Sequence, residues 1–190
     1  MLNFLIPYIS IIRPKHVVKN FIVFLPLFFS ENLFNISLVS NSIYAFFIFC
    51  ILSFIVYIFN DILDFEKDLL HPQKKYRPIP SGKISRLFAT YFLIFWLVLF
   101  FLIIYNFSDI LLFSILYLVL NFAYSTYLKK FVIFDIFTIS LMYCLRVGVG
   151  AQAISVDLSS WMILTIFFSS LYLIIVKRMV EKRNFLGLRA

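Results

Sequence analysis

Charge is scarce in this sequence: only 14% of its 190 residues are Asp, Glu, Lys or Arg, whereas soluble domains carry about 25%. Acids are the rarer sign, 9 against 17 basic residues. Glycine is scarcer still, with 4 in the whole chain, so the backbone has few places to bend sharply. The 2 cysteines, Cys50 and Cys144, lie inside apolar runs with no partner spacing. They indicate neither a disulfide framework nor a zinc site and read as small buried hydrophobes. No repeat, low-complexity tract or stretch of soluble composition interrupts the chain. Met1–Ser10 has no basic run ahead of its apolar stretch and no small-residue cleavage pattern, so a cleaved signal peptide is not expected.

What fills the chain instead is apolar bulk. Hydrophobic residues make up 63% of it, 26 of them Phe, and the mean hydropathy is +1.01. Soluble domains carry roughly 45–50% apolar residues, and one soluble core of this size could not bury the surplus. The expected solvent is lipid, and the expected fold is an all-α, polytopic membrane helix bundle.

A membrane-crossing helix needs about 20 mostly apolar residues. Six stretches qualify: Asn20–Leu38, Ser42–Asn60, Ser85–Tyr105, Ile110–Leu128, Phe131–Ile154 and Leu158–Val176. Alternate connections are short, with Glu31, Asp109 and Asp157 as their only charges. The remaining ones hold Arg13, Lys15, Lys19, the basic residues of 67–86, Lys129, Lys130 and those from Lys177 onward, which is 16 of the 17 basic residues. The positive-inside bias then puts both termini and residues 61–84 in the cytoplasm of a bacterial-type plasma membrane. The net charge of +8 is therefore topological, with anionic lipid headgroups as its neighbours and no nucleic-acid partner expected. Oligomerisation is left open.

At the end of the second stretch the sequence reads FNDILDFEKDLLHPQKKYRPIPSGK. If the helix continues, Asp61, Asp64 and Asp68 share one face with Asn60 beside them. Like charges on one stripe repel, and a helix C-terminus is the wrong end for anions. Magnesium answers both problems. It takes one or two protein carboxylates and fills its shell with water and phosphate oxygens. The three aspartates are thus expected to hold Mg2+ against a diphosphate. The plainer reading makes them interfacial acids paired with Lys67, Lys74 and Arg77.

The loop that follows supplies cations. His71-Pro72 ends the helix, with His71 a candidate cap, because the residue before Pro disfavours helical geometry. Lys74, Lys75 and Arg77 come next, Arg77 held in a segment stiffened by Pro78 and Pro80. Fixed Lys and Arg beside a metal are phosphate-binding groups. The seventeenth basic residue, Arg146, lies inside the fifth stretch, where a charge is costly and faces a partner or a cavity. Asp135 is on the same helical face but about 16 Å away along the axis, too far to pair. Arg146 either pairs with another helix or lines the substrate cavity.

NDILDFEKD resembles the first aspartate-rich motif, NDxxDxxxD, of the UbiA-type intramembrane prenyltransferase superfamily. HPQKKYRPIPSG after it, RPKHVVKN at Arg13–Asn20, YSTYLK at Tyr124–Lys129 and LRVGVGA at Leu145–Ala151 narrow the resemblance. Together they are similar to the decaprenyl-phosphate phosphoribosyltransferase-like branch. The resemblance implies a single UbiA-like domain over 1–190 and a magnesium-dependent transferase. It would move 5-phosphoribosyl from phosphoribosyl diphosphate to a polyprenyl phosphate, making a lipid-linked sugar precursor of the cell envelope. Members have about nine spans, so this chain would lack the last three. Asp61, Asp64 and Asp68 would hold the metal, and Asn60, Lys15, Lys19, Lys74, Arg77, Tyr124, Lys129, Asp135 and Arg146 would contact substrates.

Aromatic-prenylating relatives carry a second acidic motif, DxxxD, after the sixth span. Here that place reads KRMVEKR, with Lys177 and Glu181 where two aspartates would stand. The pair is expected in the catalytic site, although a Lys–Glu pair four residues apart is also an ordinary helix-end feature. One carboxylate fewer suits more substrate phosphate. The alternatives are prenylation of an aromatic or quinone ring by a polyprenyl diphosphate, and an inactive membrane subunit.

Overall fold

The computed structural model describes residues 7–8, 10–105 and 107–187, with the side chains of Lys15 and of 184–187 outside the description. Every regular element among the described residues is helical. A 3-10 segment, Pro14–Phe24, leads into α1 (Leu25–Phe29). Then come α2 (Ile36–Leu63), the short α3 (Phe65–Leu70), α4 (Arg86–Ile104), α5 (Leu111–Thr126), α6 (Val132–Ala153) and α7 (Ser160–Gly187). Five stretches are long and apolar enough to cross a membrane: α2, α4, Ser108–Thr126, α6 and the Ser160–Arg183 part of α7. This is an integral membrane helix bundle.

The stretch expected to span first is built differently from the other five. Helical structure there stops at Phe29, giving a shorter apolar helix, His16–Phe29. The polar run Ser30-Glu31-Asn32 turns the chain, with Glu31 in the left-handed region at φ 59°. Asn35 then restarts it: its side-chain oxygen accepts from the backbone N–H of Ser37 at 3.1 Å and of Leu38 at 3.4 Å, capping α2. Ile36–Leu38 therefore belong to the second helix rather than the first.

Helix α2 is the hub. It packs against the 3-10 segment, α4, α5 and α6, while α6 packs in turn on α5, α7 and the 3-10 segment. Phe49, Leu52 and Ile55 of α2 are fully buried, with Phe100 of α4, Tyr117 of α5 and Val149 of α6 around them. Exposed sides carry Phe95, Phe101, Leu112 and Leu173 instead. The 3-10 segment lies hard against α6 at Gly150, where a Cβ would meet the Val23 carbonyl oxygen at 1.9 Å. Buried Asn20 fastens the same segment to α2, accepting from the Ser53 hydroxyl at 3.2 Å. These contacts fix where Arg13 and Lys19 point.

Candidate active site

Helix α2 ends at Leu63, and Asp64 is its C-cap at φ −89°, ψ 9°. The helical ladder nevertheless crosses this joint: Asp64 N–H donates to the Asn60 carbonyl at 2.9 Å and Asp68 N–H to the Asp64 carbonyl at 2.8 Å. The expected register survives a local break, and the three aspartates stay on one side. His71 closes α3, its Nδ1 accepting from the N–H of Gln73 at 3.2 Å and of Lys74 at 3.3 Å, so it caps the turn.

The loop then folds back over the acids. Ile79 and Pro80 are buried, Ile84 N–H donates to the Pro78 carbonyl at 3.0 Å, and Gly82 takes φ +75°. That φ is left-handed and is open to glycine without strain. The folded loop aims Arg77 at the end of α2. Its Nη1 lies 2.5 Å from Asp68 Oδ2 and 3.3 Å from Asp61 Oδ1. Asp61 and Asp68 are both buried, and Arg13 donates a second guanidinium contact to Asp61. Lys129 Nζ donates to both oxygens of Asp64, at 2.7 and 2.8 Å, and Lys74 stands 3.9 Å from Asp68. A buried carboxylate is tolerated only when paired and hydrogen-bonded; Asp61 is answered by Arg13 and Arg77, and Asp68 by Arg77 from the adjoining loop.

These groups surround a polar pocket of about 430 Å³. Seven basic residues line it, Arg13, Lys67, Lys74, Arg77, Lys129, Lys130 and Arg178, against two acids, Asp64 and Asp68. Asn60 and Tyr124 complete the wall. Behind Tyr124 lies Asp135, buried, accepting from the Tyr124 hydroxyl at 2.7 Å and from Arg178 at 2.7 and 2.9 Å. Three helices, α5, α6 and α7, meet in that contact.

The pocket wall therefore gathers Asn60, Asp64, Asp68, Lys74, Arg77, Tyr124 and Lys129, with Asp61 and Asp135 behind it as partners of the wall residues. Other expected members lie elsewhere. Lys177 and Glu181 pair with each other at 3.7 Å on the exposed face of α7 and do not line the pocket. The residue of that helix end that does is Arg178, one position and about 100° further round the helix. Lys177 and Lys19 line a neighbouring groove. Arg146 is buried within the bundle, where it donates to the Tyr117 hydroxyl at 3.0 Å and to the Met142 carbonyl at 3.4 Å. The rings of Phe49, Tyr117 and Tyr143 surround it at 4.8–5.4 Å. The pairing with another helix is thus present, and Arg146 is not in the pocket wall. The Lys15 side chain lies outside the described residues. Arg13 and Arg178 were not singled out from the sequence. Arg13 opens RPKHVVKN and was legible there, whereas only helix phase separates Arg178 from Lys177.

Among the described residues no group of three or more His, Cys, Asp and Glu is arranged around one metal position. A magnesium ion needs fewer, since phosphate and water oxygens fill the rest of its shell. Asp61 and Asp68 both reach the single position held by Arg77 Nη1, so two carboxylate oxygens flank one cationic centre. That donor set fits Mg2+.

Residues 21–184 match the sequence profile described as the UbiA prenyltransferase family. The chain is similar to the decaprenyl-phosphate phosphoribosyltransferase of Mycobacterium tuberculosis, at 28% identity over 94% of this chain and 61% of that protein. It is also similar to the protein of the same name from Mycolicibacterium smegmatis, at 30% identity over 91% of this chain and 56% of the relative. The chain thus spans less than two thirds of the length of these relatives. A solved structure described as digeranylgeranylglyceryl phosphate synthase in membranes superposes with a TM-score of 0.69 at 23% identity, covering 89% of this chain and 59% of its own. That likeness concerns the fold.

Proposed function

The chain belongs to the UbiA prenyltransferase family, and from that premise we propose that its polar pocket transfers 5-phosphoribosyl from phosphoribosyl diphosphate to a polyprenyl phosphate, releasing diphosphate. One observation carries the reading: Arg13, Lys74, Arg77, Lys129 and Arg178, from four separate parts of the chain, converge on one pocket. Such a pocket suits a small substrate with several phosphates. The relatives named decaprenyl-phosphate phosphoribosyltransferase support it at 28–30% identity.

In this reading the lipid phosphate oxygen attacks the anomeric carbon. A new C–O bond forms as the bond to the diphosphate oxygen breaks, and the electron pair leaves with diphosphate. No protein nucleophile is required. Arg77 and Lys74 bind the departing diphosphate, where charge develops. Lys129 and Arg13 hold the other anionic groups, and Asp61 and Asp68 hold Arg77 in place when no metal takes its position between them. Magnesium, when bound by Asp61 and Asp68 with Asp64 alongside, supplies further neutralisation of the leaving group. The positive-inside bias places this pocket and both termini on the cytoplasmic side.

The test is an assay of the purified protein in detergent with magnesium, phosphoribosyl diphosphate labelled in the ribose, and a polyprenyl phosphate. Label should pass into the organic-extractable lipid in proportion to both substrates. Label that stays in water while a polyprenyl diphosphate is consumed with an aromatic acceptor would overturn the reading in favour of ring prenylation.

A further inference from the structure

Arg77 sets a single nitrogen, Nη1, between two buried carboxylates, 3.3 Å from Asp61 Oδ1 and 2.5 Å from Asp68 Oδ2. The two acids depend on it unequally. Asp61 also accepts from the Arg13 guanidinium, on the same Oδ1. Asp68 has one other cation within reach among the described residues, the exposed Lys74, whose Nζ is 3.9 Å away. A buried carboxylate left to an exposed ammonium at that distance is poorly compensated. Asp68 therefore needs one close cation, and Arg77 supplies it.

The backbone at Arg77 is held while its side chain has room. Arg77 N–H donates to the Lys74 carbonyl at 3.0 Å, and Ser81 N–H donates to the Arg77 carbonyl at 2.9 Å. Ile79, two residues on, is fully buried. The Arg77 side chain itself is 28% exposed and lines the polar pocket. Rotation of that side chain alone takes the guanidinium off the acids and leaves it in the pocket wall.

Charge decides when that rotation is favourable. Arg13, Lys74, Arg77 and Lys129 are paired with Asp61, Asp64 and Asp68, four cations to three carboxylates. A bare divalent cation entering this cluster meets an excess of positive charge, with the displaced guanidinium still beside it. Like charges a few ångströms apart repel strongly where the dielectric is low. A divalent cation that arrives with diphosphate belongs to an anionic complex. Its phosphate oxygens also offer the displaced Arg77 a charge-assisted, bidentate partner.

We propose that Arg77 is an exchangeable counter-ion, which shuts the position between Asp61 and Asp68 to bare divalent metal and opens it to metal carrying diphosphate. This rests on the metal-assisted transfer reading above and deepens it. Arg77 makes metal and diphosphate interdependent, so each raises the affinity for the other by the same factor. Without diphosphate in the pocket, the same side chain keeps Asp61 and Asp68 paired.

The test uses Mn2+, which shares the preference of magnesium for carboxylate and water oxygens and whose free form is counted by electron paramagnetic resonance. Purified protein in neutral detergent is titrated with Mn2+ alone. Binding of radiolabelled inorganic diphosphate is then measured without and with Mn2+. Arg77→Ala and Arg77→Gln remove the competing charge, Arg77→Lys keeps one, and Asp68→Asn added to Arg77→Ala removes a metal oxygen. Mn2+ alone should bind at least tenfold tighter to Arg77→Ala and Arg77→Gln than to the parent. It should stay within threefold of the parent in Arg77→Lys, and the double variant should lose the gain. The factor by which Mn2+ strengthens diphosphate binding should fall at least tenfold in Arg77→Ala. Metal replaces the missing guanidinium, so melting curves should show both neutral variants folded at saturating Mn2+. Unchanged or weaker Mn2+ binding in the neutral variants, equal tightening in Arg77→Lys, a gain that survives Asp68→Asn, an undiminished coupling factor, or neutral variants unfolded at saturating Mn2+ would each overturn the proposal. Binding of phosphoribosyl diphosphate is followed in the same samples. If inorganic diphosphate couples to Mn2+ as expected and phosphoribosyl diphosphate does not bind, the transfer reading falls and the exchange stands. If phosphoribosyl diphosphate binds while the neutral variants leave Mn2+ affinity unchanged, the exchange alone falls.

Discussion

Arg178 holds Asp135 by two parallel hydrogen bonds, Nε to Oδ2 at 2.7 Å and Nη2 to Oδ1 at 2.9 Å. A guanidinium and a carboxylate in this fork are oriented as well as attracted, so α6 and α7 are clamped in one phase beside the polar pocket. Arg178→Lys keeps the charge and loses the fork. It should lower phosphoribosyl transfer at least tenfold with little change in thermal unfolding, since Lys cannot reproduce bidentate geometry. Asp135→Asn should do the same. Steady-state assays of both, alongside melting curves, check this; normal turnover in Arg178→Lys would remove the clamp from the mechanism.

Asp61→Asn and Asp68→Asn should abolish transfer, by at least about 10³-fold if the bound metal and the fixed Arg77 supply several kcal/mol of charge stabilisation. Asp64→Asn should lose as much, through Lys129 and the metal. Membrane insertion should be intact in all three. Near-normal activity in any of them would take that aspartate out of the site.

The sidedness of the pocket can be read with single cysteines. In a background lacking Cys50 and Cys144, cysteines at Ser37 and Gln73 would be treated on intact cells with an impermeant thiol reagent. Ser37 starts α2 and Gln73 lies in the loop over the acids, both exposed. Labelling is expected at Ser37 alone; labelling at Gln73 alone would invert the topology.

His16 packs edge-on against Tyr57, with ring centroids 5.3 Å apart. Burial first, then the cations Lys19 and Arg13, lower its pKa from the ordinary value. The folded protein thus binds this proton less readily than the unfolded chain does. Stability from the neutral ring is present above the unfolded pKa of about 6.5 and is lost as pH falls through the depressed folded value. Melting temperature in detergent should drop below about pH 6, and His16→Gln should flatten that part of the profile. A drop of the same size in the variant would assign it to other groups.

Gly150→Val should destabilise the bundle by about 1–3 kcal/mol or more, as overpacking does, because the Val23 carbonyl occupies the Cβ position. The effect should appear as a lowered melting temperature in detergent. Wild-type stability in this variant would show that the 3-10 segment is free to move off α6.

Lipid as solvent, the apolar helical stretches, and the acidic and basic runs flanking the pocket are all written in the sequence by itself. Composition admits no soluble fold, and hydrophobic stretches of span length admit only helices whose backbone groups are satisfied internally. The Asp61–Asp68 spacing and the RPIPSG loop are local patterns, so local periodicity sufficed to bring them together. The tertiary structure decided the rest. Where the first helical stretch ends and the second begins depends on the turn at Glu31 and the Asn35 cap, which hydropathy averages over. Whether Lys177 or Arg178 enters the pocket depends on the rotation of α7 against α6, which Asp135 fixes from 43 residues away. The partners of the carboxylates, Arg13 at a separation of 48 residues and Lys129 at 65, are long-range pairings that no window of sequence contains. Charge pairs of this kind are chosen by packing, because a helix sets the direction of its side chains only when a neighbour sets the direction of the helix.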